Sequence, residues 1–325
     1  MPRVSTNPLL PVPSNPPLPL PQVPGPKLEP FTPTAHADIE FLKYLGRDED
    51  KDSYVWKVNI NGNGPYALKM FKFNTWEYLG QCYGRWLSKR LAKPQFYADY
   101  FDPFNCECRV YGRLKQEQRE DLAVRSHGYL LLSSEQAHQV ANLMGRSRDD
   151  PDDDDPATLY GHNFWDRDEQ HRGHPVKAIV KEFVSDGGEG FNKTQVAKLW
   201  DDLKEFRKLG ILVRDITIHN YIGGKLIDFS RAWTVYHPLF DWTTDSHVTD
   251  HLEMEAQDLI DLLYTWARVT DQSGFKLPKG LKEHSMGEDE SKDLNPGLYN
   301  WRKWEADQEA AQIFVDKTLV EKVDE

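Results

Sequence analysis

The stretch ILVRDITIHNYIGGKLIDFSRAW, residues 211–233, carries three side chains whose types and spacing suit phosphate chemistry: Asp215, Asn220 and Asp228. The Gly223-Gly224 pair between short apolar runs reads as a two-residue hairpin loop, because glycine tolerates the positive φ of a primed turn. In that register Ile222 faces Lys225, Tyr221 faces Leu226 and Asn220 faces Ile227, with Asp228 one step beyond. Asn220 and Asp228 are then neighbours at the open end of one hairpin. An amide oxygen and a carboxylate placed there can share a magnesium ion, which takes hard oxygen ligands. Asp215, five residues before Asn220, can accept a proton from an attacking hydroxyl.

Arg214-Asp215 followed by Asn220 resembles the Arg-Asp-x-x-x-x-Asn catalytic loop of protein kinases, and Asp228-Phe229-Ser230 stands where they carry Asp-Phe-Gly. YALKMF resembles the kinase strand with its Ala-x-Lys, which makes Lys69 the candidate for binding ATP phosphates. The resemblance implies a partner glutamate on a later helix. Glu107 qualifies on physical grounds: it shares one helical stripe with Phe104, Tyr111 and Leu114, and a charge on an apolar stripe needs a partner. The implied fold is α+β, a two-lobed protein kinase-like fold with a small antiparallel-sheet N-lobe and a mostly helical C-lobe. The implied function is an ATP- and magnesium-binding phosphotransferase acting on an acceptor the sequence does not name. Lys69 and Glu107 would serve the nucleotide, Asn220 and Asp228 the magnesium, and Asp215 the acceptor hydroxyl. More narrowly, DPFNCECRVYGRLK, AVRSHGYLLL and VRDITIHNYIGGKLIDFSRAW are similar to a fungal family, the FTA-type subunits of the kinetochore Sim complex, kinase-like in its domain pattern. That likeness implies kinetochore subunits as partners.

The pattern also departs from the kinase one. The glycine-rich phosphate cover is replaced by LGRDEDKDSYVWKV, in which Asp48, Glu49, Asp50 and Asp52 oppose a triphosphate and Lys51 offsets only part of this. Ser230 restricts the backbone after Asp228, and no long activation segment follows. Two alternatives therefore stand beside the phosphotransferase. One is a pseudokinase serving as an interaction subunit; the other is a small-molecule kinase, suggested by the short segment after Asp228.

The elements that must position these residues are legible in part. IEFLKYLG, SYVWKVNI and YALKMFKF read as strands, the last two joined by an NGNGP turn. Residues 74–93 read as an inserted helix. A second helix starts at Asp102-Pro103, an N-cap followed by proline. AVRSHGYLLLS and VKAIVKEFV read as strands on either side of an acidic insertion, 147–174. The histidines in that insertion, His162, His171 and His174, match no zinc spacing. Helix 193–209 presents Val196, Leu199, Trp200, Leu203, Phe206 and Leu209 as one stripe, with Asn192 and Gln195 as a capping box and Gly210 as its end. MEAQDLIDLLYTWARV and LYNWRKWEADQEAAQIFVDKTL read as further helices. In domain terms, 1–34 is a disordered proline-rich tail with possible SH3- or WW-type ligand character. Residues 35–184 form the N-lobe, and 185–325 the helical C-lobe with its catalytic-loop hairpin.

The totals narrow the class. A net charge of −12 over 325 residues argues against direct nucleic-acid binding as the main task. No apolar run reaches the roughly 18 residues of a membrane span. The N-terminus lacks a signal-peptide pattern. Cys82, Cys106 and Cys108 have no framework spacing, which points to a reducing compartment, nuclear or cytoplasmic.

Overall fold

The structure is a computed structural model that describes residues 20, 21, 23, 25–32, 37–47, 52–74, 99–145, 162–168, 171, 173–185, 188, 190–235, 237, 240 and 245–282. The body of the helix expected at 74–93, most of the acidic insertion, residues 48–51 and the helix expected at 298–319 lie outside the described residues.

The fold is mixed α and β. Strands β1 (Ile39–Tyr44), β2 (Ser53–Ile60) and β3 (Asn63–Phe71) come first. Helix α1 (Pro103–Gln116), β4 (Ser126–Leu132), α2 (Ser134–Leu143), the single turn α3 (His162–Trp165) and β5 (Val176–Glu182) follow. Then come α4 (Val196–Lys208), β6 (Ile211–Leu212), β7 (Tyr221–Ile222), β8 (Lys225–Leu226), β9 (Trp233–Thr234) and the long helix α5 (Asp245–Val269). The first five strands form one antiparallel sheet in the order β1-β2-β3-β5-β4. No helix among the described residues is long and apolar enough to cross a membrane.

Local chemistry explains most boundaries. Asn61 (φ 52°) and Gly62 (φ 73°) form the two-residue turn between β2 and β3, a primed geometry that matches the twist of the paired strands. The side chain of Asp102 accepts the Asn105 N–H at 3.2 Å to cap α1, with proline in its first turn. Gly210, at φ 69°, ends α4 and donates to the Arg207 carbonyl at 2.8 Å. The start of α4 differs from the sequence reading. The Gln195 side chain does accept the Asn192 N–H at 2.8 Å, but Asn192 turns its own oxygen to the Thr194 N–H at 3.0 Å, and the helix begins at Val196.

Strand β5 divides the core. Val176, Ala178 and Val180 join a cluster with Trp56, Val58, Leu68, Met70, Leu130, Val140 and Trp165. Ile179, pointing the other way, joins Phe104, Tyr111, Leu203, Phe206, Phe229, Leu259 and Leu263. A strand covered on both faces has no polar alternation to display. Helix α1 is likewise buried on every side through Leu114, because the sheet, α4 and the N-terminal segment all pack on it.

That last contact corrects the reading of 1–34 as an unpacked tail for its described part. Leu28 donates to the Cys108 carbonyl at 3.0 Å, Tyr129 to the Glu29 carbonyl at 3.0 Å, and Phe31 to the Tyr129 carbonyl at 2.8 Å. Leu28 is buried in the α1 cluster and Phe31 in the sheet cluster. These apolar residues anchor the segment, since each large side chain removed from water contributes about 1.5–3 kcal/mol. Gly112 on α1 exists for this crossing: a Cβ there would lie 2.5 Å from the Lys27 backbone.

Candidate functional site

Lys69 leaves β3 toward α1 and lies 2.9 Å from Glu107 Oε2, with both side chains buried. The same ammonium reaches Asp228 Oδ1 at 2.7 Å and Ser230 Oγ at 2.7 Å. Asp228 Oδ1 also accepts the Ser230 N–H at 2.8 Å. A second lysine completes the group. Lys181 on β5 pairs in register with Ala67, two positions along from the Lys69–Ile179 pair, so both lysines face the same side of the sheet. Lys181 donates to the other oxygen of Glu107 and, at 2.5 Å, to the Ile227 carbonyl. Glu107 therefore ties β3, β5, α1 and the 227–230 segment together.

The framework around this group is specific. From α1, Arg109 donates to the Thr234 carbonyl at 2.7 Å. Arg113, one turn on, donates to the carbonyls of Leu209 at 2.8 Å and Val235 at 2.7 Å. These bonds fix the helix, and with it Glu107, against the chain just before β6 and at the end of β9. Phe229 is buried between the rings of Tyr111 and Phe206, at centroid distances of 5.3 and 5.5 Å, which sets Asp228 at the cluster's edge. Its side chain keeps 29% of its surface open.

Asp215 and Asn220 belong to the turn between β6 and β7. Buried Glu255 from α5 holds the start of that turn, accepting the N–H groups of Val213 at 2.6 Å and Arg214 at 3.3 Å. Glu255 is itself paired with buried Arg207 at 2.8 Å. Arg214 adopts φ 71° and lies 4.0 Å from the centre of the Trp233 ring. The Asn220 side-chain amide donates to the Asp215 carbonyl at 2.9 Å. The hairpin register is Tyr221 with Leu226 and Ile222 with Lys225, and Ile227 N–H donates to the Asn220 carbonyl at 2.9 Å. Among the sequence candidates, Lys69, Glu107 and Asp228 meet directly. Asp215 and Asn220 share the adjoining turn.

Burial and charge act against each other here. Burial works to lower the Lys69 ammonium, but Asp228 and Glu107 outweigh it and hold its pKa above the ordinary lysine value. Burial works to raise Asp228, yet Lys69 and then Lys181 hold its carboxyl well below the usual carboxylate range. For Lys181 burial wins over Glu107 and the pKa is lowered. The Asp215 carboxyl is pushed up, first by the protein packed along one side and second by the negative charge of Asp228. The residue is nonetheless partly exposed to solvent. Burial pushes the thiol of Cys106 up to about 12 and raises that of Cys108 as well, so both stay protonated and inert.

The family model described as Kinetochore Sim4 complex subunit FTA2 matches residues 16–233. The chain belongs to this family. The matched span contains Lys69, Glu107, Asp215, Asn220 and Asp228, and with them Lys181 and the packed N-terminal segment. Helix α5, which supplies Glu255, lies beyond it. No curated protein matches the chain.

For this family member, sequence reasoning missed three participants. Lys181 carried a usable signal: in VKAIVKE it shares the inward side of the strand with Ile179, the same kind of misplaced charge that marks Glu107. Ser230 appears in the sequence only as a substitution for glycine, whereas its hydroxyl takes a bond from Lys69. Arg231 bonds Asp52 at 2.7 Å. This joins the start of β2 to the segment after Asp228, and no spacing rule links two residues so far apart. Of the histidines considered for metal, His171 and His174 have ring centroids 6.4 Å apart. His171 Nδ1 lies 2.8 Å from Asp168, and no group of metal-ligating side chains occurs among the described residues.

Proposed function

We propose that this chain acts as a protein-binding subunit of a nuclear kinetochore complex, and that its kinase-like polar cluster serves architecture rather than phosphate transfer. Family membership over 16–233 is the observation that carries the reading, because the matched span holds every residue of the cluster. The donor set supports it. Asp228 and Asn220 are the residues that would take magnesium, but Asp228 Oδ1 is shared by Lys69 and the Ser230 N–H. Two lysines and two carboxylates already balance in charge. A magnesium nucleotide is therefore a poor fit to the cluster as arranged, and Asp52 held by Arg231 adds a carboxylate bond close by. Binding would be expected on surfaces away from this buried group. Affinity purification of the tagged chain from its host tests the reading. Recovery of kinetochore subunits is expected, and absence of any stable partner contradicts it.

One observation favours a second reading, a kinase-like phosphotransferase. Lys69 and Glu107 stand 2.9 Å apart between an antiparallel sheet and a buried helix, as the two-lobed kinase-like fold requires. In that case Lys69 and Glu107 would hold ATP, Asn220 and Asp228 the magnesium, and Asp215 the acceptor. ATP turnover lost in both Asp215→Ala and Asp228→Ala would establish it. Absence of turnover, or turnover unchanged by both substitutions, would remove it.

A further inference from the structure

The cluster contains a second buried cation beside the lysine–glutamate pair and its neighbouring aspartate. Lys181 is 6% exposed at its side chain, and its ammonium contacts Glu107 and the Ile227 carbonyl. Those partners are a carboxylate oxygen and a main-chain oxygen one residue before Asp228. Hard oxygens of this kind gathered around a single point are what a bound cation takes. Without Lys181, Glu107 and Asp228 would face Lys69 alone, leaving one buried negative charge in excess. A buried charge without a partner is costly. With Lys181 the four side chains sum to zero, and the 227–230 segment is drawn onto α1.

From this geometry we infer that Lys181 takes the place of a site cation, an internal ammonium that joins Glu107 to the Asp228 segment and makes the cluster independent of divalent metal. The inference rests on the architectural reading above and gives it a mechanism. It assigns β5, not a ligand, the task of keeping the segment closed. It also assigns the site a latent ligand class: a divalent cation, admitted once the lysine is removed.

Thermal unfolding of the full chain in magnesium chloride, against sodium chloride at matched ionic strength, tests it. The wild type is expected to show no magnesium-specific shift. Lys181→Met should unfold roughly 10 °C lower, the size expected for a broken buried pair, and should recover several degrees with magnesium. Lys181→Met/Asp228→Asn restores neutrality, so it should be more stable than the single variant and indifferent to magnesium. If the single variant does not fold, the double variant decides: folded and indifferent supports the inference, unfolded overturns it. A Lys181→Met protein as stable as the wild type and blind to magnesium overturns this inference alone. A wild-type shift that Asp228→Asn abolishes overturns both this inference and the architectural reading.

Discussion

Glu107 is the residue on which the interior depends most. Its two oxygens serve two buried lysines, so Glu107→Ala leaves two ammonium groups with only Asp228 between them. Breaking a buried pair in this way costs roughly 3–5 kcal/mol. Urea unfolding should register a loss of that size, and a loss below about 1 kcal/mol would show that the cluster is not structural. Asp258 presents the opposite case. Crowding by protein, and then the charges of Asp261, Glu255 and Asp215, raise its carboxyl to about 6. A raised carboxyl binds its proton more tightly in the folded state, so stability falls as pH rises from about 4 to 6 and stays reduced above. Asp258→Asn should therefore stabilise the protein above pH 6, by no more than about 1 kcal/mol because the residue is exposed. The gain should vanish as pH falls toward 4, as unfolding curves at pH 4 and 7 would reveal. Lys69, Glu107 and Asp228 were legible as candidates because their order along the chain is itself a pattern. Lys181 was not singled out, since a lysine on a strand ordinarily reaches water, although its alternation with Ile179 already placed it on the inward side.

At the scale of elements, α1 is held from three directions: the lysines of the sheet, the carbonyls gripped by Arg109 and Arg113, and the N-terminal segment across Gly112. The segment's backbone lies so close that Gly112→Ala must push it away. Such overpacking costs about 1–3 kcal/mol. Limited proteolysis should then cut faster near Lys27, whereas an unchanged cleavage rate would mean the segment does not depend on this crossing. The strands, α1 and α4 could be read from alternation, caps and stripes, all local signals. The packing of residues 25–32 could not, because proline-rich composition reports only the absence of regular structure. What orders those residues is burial of Leu28 and Phe31 on elements many residues away. Helix α2 escaped for a different reason. It is ten residues long, and its buried face consists of two alanines and Val140, too little apolar contrast to form a stripe. Its Ser133–Gln136 capping box was the available signal.

For the whole molecule, acid should be more damaging than base. Burial holds His171 down to about 4 and His237 well below its ordinary value. Histidines neutral in the folded state bind protons when unfolded, so stability is lost as pH falls from about 6.5 toward 4. The exposed Asp258 opposes this only weakly. A midpoint temperature that declines over that interval is expected, and a flat or rising one would contradict the burial of these rings. The same packing separates architecture from any chemistry: the polar cluster is internally balanced, while Asp215 stands outside it in an exposed turn. Asp215→Asn should leave the fold intact and yet remove the residue that a phosphotransferase would need. The most direct measurement is quantitative co-purification of kinetochore subunits with the wild-type chain and with Asp215→Asn, both expressed from the native locus. Equal recovery of the same partners is predicted. Loss of those partners in the variant, with the protein folded and present at wild-type level, would contradict an architectural role for the site.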